Sequence, residues 1–338
     1  MRFPESWAGG PTMTDDRPAL VALDWGTSSL RAFLMSASGR VLDTRASAHG
    51  IQHLPEPGVP GFEAAFAAIC GDWLAATPVP VVAGGMVGSA QGWTEVPYLP
   101  CPAALTDLPG AATRVATSGG QEVLIAPGLV YEPEGGTPDV MRGEEIQIAG
   151  AIAGNPDWQQ AATLVLPGTH SKWAEVADGI VTGFATYMTG EVFAVLRAHS
   201  ILGRLMSDEA LPDDAHAEAF AQGVAQASAA GPGDLTRQLF GTRTLGLTKR
   251  LPGGVLADYL SGLLIGSEIV SGLAAQGDRP VLLVGSGALC ARYDTALRQL
   301  SGRGAAATID NPAPAGLFRL ACDAGLLTPE PGNSDDLH

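Results

Sequence analysis

The chain is poor in cysteine, in charge and in aromatic residues. Four cysteines (Cys70, Cys101, Cys290 and Cys322) occur in 338 residues, and no two of them form a CxxC pair. Zinc-ligand spacing is thereby excluded, and reduced, buried thiols of a cytoplasmic protein are expected. Charged residues are only 16% of the chain against 46% hydrophobic, a globular rather than a disordered composition. Positive charge is the scarcer sign, with 19 Lys and Arg against 35 Asp and Glu and a net charge of -16. Such a chain has no general attraction for nucleic acid or for an anionic membrane surface, so neither is expected as a partner. There is no run of eighteen apolar residues, and no membrane span is expected. Residues 1–18 lack the apolar core of a signal peptide and are read as a flexible leader, with 329–338 as a flexible tail. The length suits about two domains.

What is present is a repeated strand pattern. Ala19–Leu23, Leu30–Met35 and the segment from Val41 read as three strands, joined at Gly26-Thr27 and at Ser38-Gly39-Arg40. Thr163–Leu166, Trp173–Val176 and Ile180–Thr186 repeat them, with a hairpin turn at Asp178-Gly179. Gly26, Thr27 and Ser29 align with Gly168, Thr169 and Ser171 at an offset of 142, which indicates an internal duplication. Helical periodicity marks Phe62–Ala75, Met141–Ala153, Leu256–Ala275 and Ala288–Leu300. Pro80–Ala83 and Pro280–Val284 read as strands, the second leading into Gly285-Ser286-Gly287 before a helix. The expected boundaries are an N-terminal lobe over 19–155 and a C-terminal lobe over 156–328.

Tight turns rich in Gly, Thr and Ser can close backbone N–H groups and hydroxyls around an anion. Asp24 ends the strand before the first turn, where a carboxylate can hold a metal through water. The strand, Gly-Ser-Gly, helix unit at 285–287 presents backbone amides at a helix start.

The stretch Leu23-Asp24-Trp25-Gly26-Thr27-Ser28-Ser29-Leu30-Arg31 resembles the first phosphate loop of the acetate and sugar kinase/heat-shock ATPase/actin superfamily. Pro167–Lys172 resembles its second phosphate loop, and Gly285-Ser286-Gly287 its adenosine loop. Six stretches are more narrowly similar to the 2-dehydro-3-deoxygalactonokinase family: GMVGSAQGW (85–93), EVPYLPCP (95–102), DVMRGEEIQ (139–147), PGTHSKW (167–173), MTGEVF (188–193) and DYLSGLLIGSE (258–268). The resemblance implies an α/β fold of two ribonuclease-H-like (actin-like ATPase) lobes, with mixed sheets flanked by helices and a central nucleotide cleft. It also implies ATP and Mg²⁺ as cofactors, and phosphoryl transfer to the 6-hydroxyl of 2-dehydro-3-deoxy-D-galactonate, a step of D-galactonate breakdown.

On that resemblance Gly26, Thr27, Ser28, Ser29, Gly168, Thr169, His170, Ser171, Lys172, Gly285, Ser286 and Gly287 are phosphate- and ATP-binding candidates, and Asp24 is the metal candidate. Superfamily members often carry an Asp just before the second phosphate loop. Leu166-Pro167 stands there in this chain, which puts the metal duty on Asp24. Gly143-Glu144-Glu145 resembles a Gly-Asp-Gln that carries the catalytic base in a related branch, which points to Glu144, with Glu145 and Asp139 as rivals. A keto-acid substrate needs a cation for its carboxylate, for which Arg142, Arg31, His170 and Lys172 are candidates. Gly85, Met86 and Trp93 are further substrate-side candidates; Trp25 and Trp173 share that reading, with core packing as the default for all three tryptophans. Two other readings stay open: another sugar or polyol kinase of the superfamily, and a non-enzymatic actin-like nucleotide-binding protein.

Overall fold

Two mixed sheets of six strands carry the architecture, and the apolar sequence of their central strands dictates it. In the computed structural model, which describes residues 17–229 and 233–327, the first sheet runs Val41–Ser47, Leu30–Ser36, Pro18–Trp25, Val81–Gly84, Glu122–Ile125, Thr113–Ala116. The middle strands Pro18–Trp25 and Val81–Gly84 are near-continuous apolar runs that bury Leu20 to Leu23 and Val81 to Ala83. Burial of this kind suits strands covered on both faces. The outer strand Val41–Ser47 has no buried residue.

The helix Val59–Ala76 packs here. It has a proline in its first turn and buries Phe62, Ala65, Phe66, Ile69, Cys70 and Trp73, a stripe at three- and four-residue spacing. Trp25, Phe62 and Trp93 meet beneath it at ring-centroid separations of 5.5–5.9 Å.

The second sheet runs Ala307–Ile309, Val281–Val284, Ala161–Leu166, Ser171–Ala177, Ile180–Tyr187, Ala103–Ala104. Its first five strands repeat the first five of the other sheet, read from the opposite end. An antiparallel meander is followed by two parallel strands beside its first member. The parallel pairs are Val21 with Val81 and Thr163 with Val281. Each lobe therefore has the ribonuclease-H-like strand order. The turn at Asp178-Gly179 has positive φ at both residues (51° and 73°), the signature of a type I′ hairpin. A small sheet of Asp139–Met141, Gly128–Tyr131 and Tyr98–Pro100 accompanies the second sheet.

Contacts divide the described residues into two compact units, one of 17–97, 108–127 and 317–327, the other of 98–107 and 128–316. A single cut at 155/156 does not reproduce this division. Ala103–Ala104 pairs with Ile180–Tyr187, and Asp139 is tied to Thr186, so both segments join the second unit.

Three sequence readings change. Met141, expected to open a helix, instead ends the strand Asp139–Met141, which pairs with Gly128–Tyr131. The helix Glu144–Ile152 starts only after Gly143, whose φ of 107° breaks the run. The first strand begins at Pro18, inside the expected leader; the rest of that leader to residue 16 and the tail 329–338 lie outside the described residues. Finally, Gly253–Gln276 is apolar and long enough to pass for a membrane span, with a mean hydropathy of 1.3. Two-thirds of that stretch is buried, and its helix carries buried Asp258 and Glu268, so it is a core helix.

Gly85 and Gly285 occupy matching places, each directly after the strand that pairs parallel to the meander, and both have positive φ (97° and 139°). A Cβ on Gly85 would lie 2.8 Å from the Trp25 carbonyl oxygen, a backbone atom that cannot swing away. Gly85→Ala is expected to cost about 1–3 kcal/mol of stability. A urea titration that leaves the midpoint unchanged contradicts this account.

Candidate active site

The first glycine turn is held from both sides. The strands Pro18–Trp25 and Leu30–Ser36 pair up to Trp25 and Leu30, leaving Gly26–Ser29 as a four-residue loop closed by the Gly26 N–H to the Ser29 carbonyl (2.9 Å). Ile51 and Gln52 donate their N–H groups to the carbonyls of Gly26 and Thr27, both at 3.1 Å. The carbonyls are thus occupied, while Thr27, Ser28 and Ser29 stay exposed, which suits an anion. Asp24 and Arg31 are cross-strand neighbours, and the guanidinium donates to the Asp24 carboxylate. The metal candidate and one carboxylate-binding candidate are therefore partners of each other, so Arg31 is not the independent cation expected from sequence. Trp25 and Trp93 belong to the hydrophobic core, and Met86 packs against it. The Trp25 indole N–H is also spent, on the His49 carbonyl at 2.8 Å. Core packing thus decides against a substrate-lining role for these tryptophans.

In the second unit the ladder closes at Leu166 and Lys172, so its turn has one residue more than the first. Gly168, Thr169 and His170 lie at its accessible end. His170 contacts the Glu191 carboxylate, and Thr169 accepts the Glu191 N–H at 3.0 Å. Ser171, expected on the ligand side, is instead fully buried and donates to Glu268 at 2.7 Å. Trp173 is in the core and donates to the same carboxylate. Lys172 is largely buried, and its ammonium donates to Thr186 Oγ1 at 2.8 Å. Of the last loop, Gly285 gives its N–H to Ile309, whereas Ser286 and Gly287 are exposed at the start of the helix Gly287–Ser301.

The three candidate acids have different environments. Both oxygens of Asp139 bind Thr186, accepting its N–H and its hydroxyl at 2.6 Å each, so this carboxylate ties two strands together. Glu145 is completely buried. One of its oxygens accepts the Gly143 N–H at 2.7 Å, and the other has no hydrogen-bond partner. Burial and then the neighbouring Glu144 charge push its carboxyl up to about 8. Glu144 is half-buried, accepts the Arg142 N–H at 3.0 Å, and is raised by burial while the charges of Lys172 and His170 pull it back down. Arg142 itself is buried, with its guanidinium 4.3 Å over the Tyr98 ring. Among the described residues no cluster of three or more His, Cys, Asp or Glu side chains could cage a metal. A single carboxylate beside exposed hydroxyls, as at Asp24 with its Arg31 partner, still fits Mg²⁺, which keeps several waters and takes one or two carboxylates plus phosphate oxygens.

The 2-keto-3-deoxy-galactonokinase family profile matches residues 24–320. A Rhizobium meliloti (strain 1021) protein named probable 2-dehydro-3-deoxygalactonokinase is 39% identical over 309 residues, covering 89% of this chain and 95% of that protein. The 2-dehydro-3-deoxygalactonokinase of Escherichia coli (strain K12) is 33% identical over 304 residues, covering 89% and 97%. This chain belongs to the 2-keto-3-deoxy-galactonokinase family. A solved crystal structure of a Sinorhizobium meliloti protein assigned to the 2-dehydro-3-deoxygalactonokinases superposes with a TM-score of 0.78 at 36% identity, covering 89% of this chain and 98% of that one.

For a member of this kinase family one cavity is informative. It has a volume of about 780 Å³ and lies wholly within the second unit. Gly168 of the turn, Thr189 and Phe193 of the helix Thr189–His199, and Leu289 and Tyr293 of the helix Gly287–Ser301 line it. On its wall Asp258 accepts from Arg292 at 2.5 Å and contacts His216 Nδ1 at 2.6 Å. Sequence reading gave no role to Asp258, His216, Arg292 or Glu268. A signal existed for two of them, because Asp258 and Glu268 are acids on an otherwise apolar helix and fall in a family-like stretch. His216 and Arg292 reach the wall from distant helices, and no local pattern announces them.

The raised Glu145 pKa has a consequence for stability. Between the unfolded value near 4.5 and the folded value of about 8 the native state binds the extra proton. This contribution is therefore complete below about pH 4.5 and is lost as pH rises to about 8. Glu145→Gln is expected to flatten the fall in stability across that window and to be the more stable form near pH 8, with Glu144 leaving a residual slope of the same sign. Thermal melts at several pH values test this; parallel wild-type and variant curves contradict it.

Proposed function

We propose that this chain transfers the γ-phosphate of ATP to the 6-hydroxyl of 2-dehydro-3-deoxy-D-galactonate, giving ADP and the 6-phosphate in D-galactonate catabolism. The substrate and the kinase activity are those named for the relatives. The observation that carries the reading to this chain is the placement of Glu144: a half-buried carboxyl of raised proton affinity at a helix start, within reach of the charges of Lys172 and His170 from the second phosphate turn.

Phosphoryl transfer needs positioning and charge neutralisation more than covalent chemistry. The proposed base is Glu144, because Asp139 is consumed by Thr186 and Glu145 is sealed in the core. Burial brings its proton affinity closer to the working pH, where general base catalysis is most effective. The 6-hydroxyl gives its proton to Glu144 while its oxygen attacks the γ-phosphorus and ADP leaves. Lys172 neutralises phosphate charge. The nucleotide is proposed to occupy the 780 Å³ cavity beside Gly168, a volume within the range of cofactor pockets. In the first unit, the exposed hydroxyls of Gly26–Ser29 suit a phosphate, and Asp24 beside them would hold Mg²⁺, whose chemistry when bound is neutralisation of phosphate charge. Arg142 is the proposed partner of the substrate carboxylate, since its guanidinium is already desolvated against Tyr98 and follows directly on the strand that leads to Glu144.

A coupled assay over a panel of keto-deoxy sugar acids and neutral sugars is expected to give the highest kcat/KM with 2-dehydro-3-deoxygalactonate; a neutral sugar as best substrate overturns the assignment. Glu144→Gln is expected to lower kcat by about 10²–10⁴ with little change in the KM for ATP. Arg142→Ala is expected to raise the KM for the sugar acid about ten- to a hundredfold. Unchanged sugar-acid binding in that variant moves the carboxylate to another cation.

A further inference from the structure

In the second unit a buried polar cluster surrounds Glu268. This side chain is 3% exposed, on the apolar helix Leu256–Gln276, and it accepts four hydrogen bonds. One oxygen takes the Ser171 hydroxyl at 2.7 Å and the Trp173 indole N–H at 2.8 Å. The other takes the Tyr293 hydroxyl at 2.7 Å and the Thr189 hydroxyl. The donors come from three different elements: the strand that follows the second phosphate turn, the first residue of the helix Thr189–His199, and the helix Gly287–Ser301. Two of the donors, Thr189 and Tyr293, also line the cavity.

A buried carboxylate is costly unless it is fully hydrogen-bonded, and this one is satisfied only when all three elements keep their places. The Tyr293 phenol is held in its donor form, since burial and the Glu268 charge both raise its pKa. The fit at the turn is correspondingly tight. A Cβ on Gly190 would come within 2.8 Å of the Thr169 Cα, so the helix start touches the backbone of the turn.

We propose that Glu268 is a positioning residue for the nucleotide: by binding Ser171, Thr189 and Tyr293 together it fixes the backbone donors of Gly168–His170 against the cavity wall before ATP arrives. The proposal rests on the reading that ATP occupies this cavity. Glu268 touches no reacting atom. Its contribution is preorganisation, which lowers the ordering cost of binding. The consequence is a separation of effects, in which disturbing Glu268 weakens ATP binding and leaves recognition of the sugar acid intact.

Calorimetric titration of the full-length protein with ATP, together with steady-state kinetics, tests this. Glu268→Gln is expected to weaken ATP binding and raise its KM about tenfold, with the KM for 2-dehydro-3-deoxygalactonate within about twofold of wild type. Thr189→Val is expected to act in the same direction and Thr189→Ser, which keeps the hydroxyl, to behave as wild type. The double variant E268Q/T189V is expected to be little worse than E268Q, because both remove the same bond. If Glu268→Gln does not fold, the Thr189 pair decides: a Val variant that binds ATP as the Ser variant does overturns the proposal. A folded E268Q with lowered thermal stability and wild-type ATP affinity also overturns it, leaving Glu268 a purely stabilising group. A wild-type protein that binds no ATP overturns the nucleotide reading and this proposal with it, an outcome distinct from ATP binding that the variants do not disturb.

Discussion

Parallel pairing of the first meander strand with a strand far along the chain is the constraint on which the rest depends. Val21 lies beside Val81, and Thr163 beside Val281. Parallel neighbours point their carboxyl ends the same way, and loops at the carboxyl ends of such strands are where ligands bind in open α/β sheets. The pairing therefore brings Gly85 to the turn at Gly26 in one sheet, and Gly285 to the turn at Gly168 in the other. The meander alone would give a hydroxyl-rich turn with nothing beside it. At Gly85 a glycine is required because two backbones converge, as its approach to the Trp25 carbonyl shows, whereas at Gly285 the positive φ of 139° is what favours glycine.

Around the second turn, burial has sorted the carboxylates. Water would make Asp139, Glu144, Glu145 and Glu268 near equivalents. The interior separates them by the donors each one meets. Asp139 has Thr186 on both oxygens, Glu268 has four donors, and Glu145 has one donor with an orphan oxygen. Desolvation without matching donors favours the protonated carboxyl, which explains why Glu145 rises to about 8. Glu144 lies between these cases, with enough burial to raise its proton affinity and enough exposure to meet a ligand.

Much of this was readable in the sequence because it is local. The two meanders, the turns at Gly26 and Gly168, the helix spanning Phe62–Ala75 and the strand before Gly285 all follow from apolar period and turn residues within a dozen positions. What could not be read depends on partners far away. Asp24 and Arg31 look like independent functional groups until antiparallel register sets them side by side. Ser171 looks like a phosphate ligand until Glu268, 97 residues later, takes its hydroxyl. Met141 reads as the first residue of a helix, but the strand Asp139–Met141 takes its hydrogen bonds from Gly128–Tyr131 rather than along its own chain. The match of Gly85 to Gly285 is hidden because the two lobes carry insertions of different length between meander and parallel strand, so one offset aligns the turns and another the glycines.

The short pairing of Ala103–Ala104 with Ile180 and Val181 has a bearing on biogenesis. The strand that closes the second sheet is made some 75 residues before the strand it covers, and two strands of the other unit, Thr113–Ala116 and Glu122–Ile125, lie between them in the chain. Neither unit is a continuous stretch of sequence. During synthesis the first sheet can assemble around its own early strands, but the edge at Ile180–Tyr187 has to capture a segment that has already left the ribosome. The second sheet therefore cannot be completed from the stretch after 155 alone, and severing the chain between 155 and 156 would separate Ala103–Ala104 from the edge it pairs with and leave that edge open to association.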